Sequence, residues 1–153
     1  MIRTRSLEAG RLGEVADLEA RISRTPWPVE MFRDELALGS WQRVMLTGEG
    51  AVVGYVVARQ QFDEWHLLKL GVASAFRRQG LGRRMVRGVL QQASRTRSRG
   101  VLLEVRVSNL AALRLYQGMG FRPLATRPGY YRGPCGREDA LVMARWLPGF
   151  VPA

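Results

Sequence analysis

Residue types that carry much of enzyme chemistry are almost missing from this chain. It holds one cysteine (Cys135), one histidine (His66) and one lysine (Lys69). A single cysteine forms no intramolecular disulfide. One cysteine and one histidine do not make a zinc site of the usual kinds, and no carboxylate cluster replaces them. A Ser-His-Asp or Cys-His device would have to use His66, yet no serine lies in a nucleophile-elbow pattern. No apolar run approaches the roughly 20 residues that cross a membrane. Met1 to Gly10 has two arginines with no apolar stretch behind them, which predicts no secretory signal and a cytoplasmic protein. Internal repeats, low-complexity stretches and linkers are absent as well.

What is present is a basic, well-mixed chain of 153 residues, the size of one domain, expected to span 1–153. Apolar residues make up 46 %, enough for a core and against disorder. The net charge is +11, carried by arginine apart from Lys69. A basic surface suits an acidic partner such as nucleic acid, a phosphorylated cofactor or an anionic assembly. An arginine-rich codon preference describes the same excess.

The apolar spacing predicts the order of elements. Within Thr4 to Arg24, the positions Leu12, Val15, Leu18 and Ile22 form a helical stripe, broken by Thr25-Pro26-Trp27-Pro28. A short helix is expected from Val29 to about Leu38. Strands are expected at Arg43 to Leu46 and Ala51 to Arg59, then at His66 to Val72, where sides alternate. A long helix from about Leu81 to Ala93, a strand from Val101 to Val107 and a helix over Leu110 to Gly118 with Asn109 as N-cap follow. Further strands are expected from Phe121 and over Asp139 to Arg145. Helices first, then strands, then β-α-β-α-β-loop-β, is an α/β (α+β) domain with a mixed sheet.

Two places on this frame carry chemistry. Val72 to Arg84 joins a strand to a helix through Gly80-x-Gly82. Glycines there let backbone N–H groups approach a ligand, and the helix start adds unpaired donors and positive potential. From Arg77 to Arg99 there are eight arginines and no acidic residue. At about 100° per residue, Leu81, Met85, Val86, Val89, Leu90 and Ala93 share one side of the helix, and Arg83, Arg84 and Arg87 the other. The second place is Glu104, in mid-strand where glutamate is disfavoured. Taken alone it describes a solvent face shared with Arg106, or a cross-strand ion pair. Tyr116, on a stripe with Ala112, Leu113 and Met119, taken alone describes a core tyrosine.

Read together, these segments carry a resemblance. Arg77-x-x-Gly80-x-Gly82, after a strand ending Leu70-Gly71-Val72, resembles the acetyl-CoA motif of the GNAT superfamily. Leu103-Glu104-Val105-Arg106, Ser108-Asn109-x-Ala111-Ala112 and Leu115-Tyr116-x-x-Met119-Gly120-Phe121 resemble RimI-type acetyltransferases, which acetylate the N-terminal alanine of a small-subunit ribosomal protein. The resemblance implies the GNAT fold, a mixed sheet flanked by helices. It implies acetyl-CoA as cosubstrate and no metal. Leu70, Gly71 and Val72 would hold the pantetheine and acetyl group. Arg78, Gln79, Gly80, Leu81, Gly82 and Arg83 would hold the pyrophosphate, and Asn109 would also bind the cofactor. Glu104 would be the general base and Tyr116 the general acid. The chemistry is coherent. An α-amine with a pKa of about 7.7–8.0 must lose its proton before it attacks a thioester, and a carboxylate can take it. A tyrosine can protonate the departing thiolate, and a backbone N–H by Leu70 to Val72 can meet the oxyanion. No covalent intermediate, hence no cysteine or serine nucleophile, is needed.

On the acceptor side, Arg127-Pro128-Gly129-Tyr130-Tyr131-Arg132 and Gly136-Arg137-Glu138-Asp139-Ala140 resemble the same family's hairpin. This marks Tyr131, then Tyr130, as substrate contacts. Trp27, where the family has Phe-Pro-Trp, walls the same groove or packs the first helix. Cys135 reads as an incidental exposed thiol. Lys69-Leu70-Gly71-Val72 departs from the family's Asn-Ile-Ala-Val kind of strand, and Gly71 is expected to loosen the acetyl contact or open the peptide groove. The implied partner is a protein N-terminus, with contact to an anionic ribosomal particle, no membrane, and a monomer or weak dimer. Two other readings stay open here: an acetyltransferase for a lysine side chain or small amine, and a non-catalytic basic module that binds RNA or the ribosome.

Overall fold

The computed structural model describes residues 1–133 and 135–149. The strands are β1 Arg3–Ser6, β2 Trp41–Leu46, β3 Val52–Gln61, β4 Glu64–Val72, β5 Gly100–Arg106, β6 Arg122–Gly133 and β7 Gly136–Trp146. The helices are α1 Leu12–Ile22, α2 Val29–Ala37, α3 Leu81–Arg95 and α4 Leu110–Gly118. The strands are hydrogen-bonded in the order β1-β2-β3-β4-β5-β7-β6. β4 and β5 run parallel, while β1–β2, β2–β3, β5–β7 and β6–β7 are antiparallel, so the sheet is mixed as expected. The described residues divide into two compact units, one of 1–59 with 68–85, the other of 60–67 with 86–133 and 135–149.

The first unit begins differently from the expectation. Its first element is a strand, not a helix. β1 pairs with β2 from Arg3 opposite Leu46 to Ser6 opposite Arg43. All four of its residues are exposed, so it is an edge strand without the apolar alternation that marks a half-buried one. The helical stripe then appears as expected: Leu12, Val15 and Leu18 are buried. They pack in one cluster with Phe32 of α2, Val44 and Leu46 of β2, and Tyr55 and Val57 of β3. Full burial of Phe32 alone is worth about 1.5–3 kcal/mol relative to exposure.

In the second unit, β5 lies between the first half of β4 and β7. Glu64–Leu67 pairs with Gly100–Leu103, and Gly100 to Arg106 faces Trp146 to Ala140. Val101, Leu103 and Val105 are buried, which leaves Glu104 and Arg106 on the opposite, half-buried face. Gly100 is glycine because a Cβ there would come 2.6 Å from Trp146 Cε3 and 2.8 Å from the Arg145 carbonyl. Asn109 caps α4, its side chain accepting the Ala112 N–H at 3.2 Å. β6 and β7 are longer than their apolar residues suggest, because β6 is almost wholly exposed. Their register shifts between Pro123 and Ala125 and again between Arg127 and Tyr131. Tyr130 lies within the second irregularity, and pairing resumes at Tyr131 opposite Glu138.

Candidate active site

The turn between β4 and α3 leaves backbone donors open beside exposed arginines. After β4, Ala73 donates its N–H to the Val53 carbonyl at 2.9 Å, and a single 3-10 turn covers Ser74–Phe76. Arg78 and Gly80 then adopt left-handed φ values of 63° and 77°. A Cβ at Gly80 would meet nothing within 4 Å, so glycine is favoured there by φ and the space stays open. The first bond into α3 runs from Arg84 N–H to the Gly80 carbonyl, at 3.0 Å. The N–H groups of Leu81, Gly82 and Arg83 precede it and have no carbonyl within the helix. No acidic residue lies in the first turn. Arg78 and Arg83 are exposed and form no ion pair among the described residues. The expected helix faces hold: Leu81, Met85, Val86, Val89, Leu90 and Ala93 are buried, and Arg83, Arg84 and Arg87 are exposed. Arg84 also has a structural task, since its Nη2 donates to the Ile2 carbonyl at 2.9 Å and to Thr4 Oγ1 at 3.0 Å. Open donors, a free helix start and unopposed arginines fit a pyrophosphate.

In the second unit, β5 and the β6–β7 hairpin bring three sequence-predicted residues together, Glu104, Tyr130 and Tyr131. Glu104 is half-buried, with Oε1 3.5 Å from Arg127 Nη2. The Tyr130 hydroxyl is hydrogen-bonded to Glu104, which raises the Tyr130 pKa. Arg106 turns instead to Glu138, at 3.2 Å, and lies over the Tyr131 ring at 4.3 Å. Glu138 Oε2 accepts the Ser108 N–H at 2.8 Å. Bonds from Ser108 and Arg106 hold its carboxyl below the usual range. Tyr130 and Tyr131 meet edge to face, with centroids 5.0 Å apart. Burial, then the charge of Glu104, pushes the Tyr131 hydroxyl up to about 12.

Tyr116 is buried and packs edge to face on Phe121, with centroids 5.7 Å apart. Burial first, and Tyr131 second, drives its hydroxyl far above the ordinary tyrosine value. It therefore stays protonated over any working pH. Asn109 spends its side-chain oxygen on the cap and keeps its NH2 group as a donor. Cys135 is exposed, as expected.

Sequence reasoning missed Glu19. It lies in α1 with 1 % exposure. Tyr55 donates its hydroxyl to Glu19 Oε1, Trp27 donates its backbone N–H to Oε2 at 2.9 Å, and Lys69 Nζ lies 2.7 Å from Oε2. The signal was available, because Glu19 follows Val15 by four positions and so falls within the apolar stripe of α1. The expectation for Gly71 also needs correction. The place its side chain would take is filled by the ring of Tyr55: a Cβ at 71 would come 2.7 Å from Tyr55 Cε1 and closer still to Cζ and Oη. The residue thus answers to packing rather than to an opened groove. Trp27 packs against the first unit's core and also lines a groove, one whose lining comes from α1 and residues 26–30. It packs edge to face on Phe32 at 5.2 Å, and it lines a groove of about 480 Å³ with Ala16, Ala20, Val29, Asp17 and Glu30.

The chain belongs to the acetyltransferase (GNAT) family, whose model matches residues 12–121, and it is an N-acetyltransferase built on a mixed sheet. The ribosomal protein bS18-alanine N-acetyltransferase of Escherichia coli is 32 % identical over 139 residues, 91 % of this chain and 93 % of that one. The N-alpha-acetyltransferase RimI of Mycobacterium tuberculosis is 37 % identical over 136 residues, 85 % and 83 % of the two chains. The crystal structure of the Escherichia coli enzyme superposes with a TM-score of 0.88 at 28 % identity, over 99 % of this chain and 100 % of that one. Arabidopsis thaliana NAA60 in complex with acetyl-CoA shares the fold, with a TM-score of 0.87 at 21 % identity over 97 % and 100 % of the chains.

Proposed function

We propose that this chain transfers the acetyl group of acetyl-CoA to the α-amine of a protein N-terminus, the terminal alanine of a small-subunit ribosomal protein. The observation that carries the reading is Glu104: a half-buried carboxylate in mid-strand, bonded by Tyr130, in the unit that also holds a buried, protonated Tyr116. The relatives named for bS18-alanine acetylation support the acceptor. We take residues 1–153 as one acetyltransferase domain, because β4 and α3 each begin in one compact unit and end in the other.

Acetyl-CoA supplies the activated acetyl thioester. The Arg78 to Arg83 backbone and arginines bind its pyrophosphate, Leu70 to Val72 the acyl end, and Asn109 donates through its NH2 group. Glu104 takes the proton of the incoming amine, directly or through a water. Tyr116 gives its proton to the departing thiolate. Trp27, Tyr130 and Tyr131 contact the acceptor. The α-amine suits this machinery, since it titrates near neutral pH and needs little help to lose its proton, whereas a lysine side chain at about 10.4 needs far more. The protein works in the cytoplasm, where its positive charge favours approach to an anionic ribosomal particle. The described residues include no helix long and apolar enough to cross a membrane.

The test is a pair of substitutions. Glu104→Gln should lower kcat by about 10²–10⁴-fold while acetyl-CoA binding persists, and Tyr116→Phe should slow thiol release over a similar range. Unchanged kcat in either variant removes that residue from its role.

A further inference from the structure

The buried cluster around Glu19 has no part in the proton transfers above, yet it reaches a residue assigned to the acceptor. We infer that Glu19, Lys69 and Tyr55 are positioning residues that set Trp27, and through it the affinity for the acceptor peptide. The inference rests on the reading that Trp27 contacts the acceptor.

The geometry is specific. Glu19 on α1, Tyr55 on β3 and Lys69 on β4 converge on one carboxylate that is sealed from water. The same carboxylate holds the backbone N–H of Trp27, the middle residue of the Pro26-Trp27-Pro28 connection. The indole is fixed as well. Its ring packs edge to face on Phe32 at 5.2 Å, and Phe32 packs in the same way on Tyr55 at 5.8 Å. Lys69 Nζ lies 5.7 Å from the Trp27 ring centroid, within reach of a cation–π contact. Trp27 is therefore held through its backbone by Glu19, through its ring edge by Phe32, and through its ring face by Lys69.

Two residues of β4 join the same cluster. Lys69 is the chain's only lysine, and it matches the buried charge of Glu19. Gly71 leaves room for the Tyr55 ring, whose hydroxyl completes the carboxylate's set of donors. A buried carboxylate with three donors keeps one arrangement, because losing any partner leaves charge uncompensated. The expense of burying a charge pair is out of proportion to packing one loop, and is understandable if the position of Trp27 matters to function.

The test is steady-state kinetics with acetyl-CoA and a short peptide bearing a free N-terminal alanine. Glu19→Gln/Lys69→Met removes both charges together, so neither is left unpaired in the core. The expected result is a rise of about tenfold in peptide KM, with kcat and the KM for acetyl-CoA changed less than about twofold. Lys69→Arg, which keeps the cation, should return peptide KM to within about threefold of wild type. Tyr55→Phe keeps the ring and removes one donor; it is the milder variant and should raise peptide KM by about threefold. Unchanged peptide KM in the double variant, or in Tyr55→Phe if the double variant does not fold, overturns the inference. So does a parallel change in both KM values and kcat. Trp27→Ala separates the two levels of the argument. If it raises peptide KM and the network variants do not, the network inference alone falls; if it leaves peptide KM unchanged, the acceptor role of Trp27 and the inference fall together.

Discussion

Placing alanine at position 71 should damage this protein. A Cβ at Gly71 lands on the Tyr55 ring, 2.7 Å from Cε1 and nearer to two further atoms. The ring cannot readily give way. Tyr55 is 1 % exposed, packs edge to face on Phe32, and donates its hydroxyl to Glu19. Overpacking a filled core costs about 1–3 kcal/mol. A ring shift that breaks the bond to the carboxylate forfeits about 1.5–3 kcal/mol, the range for hydrogen bonds to charged groups. A loss of about 3 kcal/mol in Gly71→Ala is therefore expected, a large share of the roughly 5–15 kcal/mol that holds a domain folded. Urea unfolding measures it: with an m-value of about 2 kcal/mol/M, the midpoint should fall by about 1.5 M. A double-mutant cycle with Tyr55→Val should show coupling of at least about 1 kcal/mol in the favourable sense, because the smaller residue admits the added methyl. A midpoint within about 0.2 M of wild type would refute the reasoning.

Asn109→Ala should reduce stability by about 0.5–2 kcal/mol through loss of the α4 cap, and should raise the KM for acetyl-CoA if the freed NH2 binds it; denaturation and kinetics on one sample separate the two effects. Gly80→Ala should weaken acetyl-CoA binding and cost about 1–2 kcal/mol, since φ is 77° and alanine resists that conformation; calorimetric titration with CoA checks it. The pH dependence has a definite sign. Tyr131 is raised to about 12 in the folded state from an ordinary 10, so its contribution to stability is fully present below pH 10 and lost as pH rises through about 12; urea midpoints from pH 9 to 12 should show this decline. Because burial drives Tyr116 higher still, kcat/KM should show no fall assignable to that residue below pH 10.

What could be read in the sequence is what leaves a periodic or chemical mark. α3 was legible because its six buried apolar residues and its four exposed arginines separate at 100° per residue. Asn109 was legible as a cap because its side chain competes for a free N–H. Glu104 stood out as a carboxylate alternating with buried Leu103 and Val105, although only the family resemblance gave it a task. β1 left no mark: its four residues are exposed and are fixed by pairing with β2, a long-range fact. The full length of β6 was hidden for the same reason. Glu19 was hidden by its type, since a glutamate in an apolar stripe becomes plausible only when Lys69 and Tyr55, 50 and 36 positions away, are seen to meet it. Gly71 was misread because the group that demands glycine is a side chain on another strand.

The most direct measurement is thiol release from acetyl-CoA with a panel of short peptides, including one that begins Ala-Arg, alongside an N-blocked peptide containing lysine. The account predicts turnover on the free N-termini, fastest on those beginning with alanine, and none on the blocked peptide. Turnover on the blocked lysine peptide, or the absence of turnover on every free terminus while acetyl-CoA still binds, would contradict it.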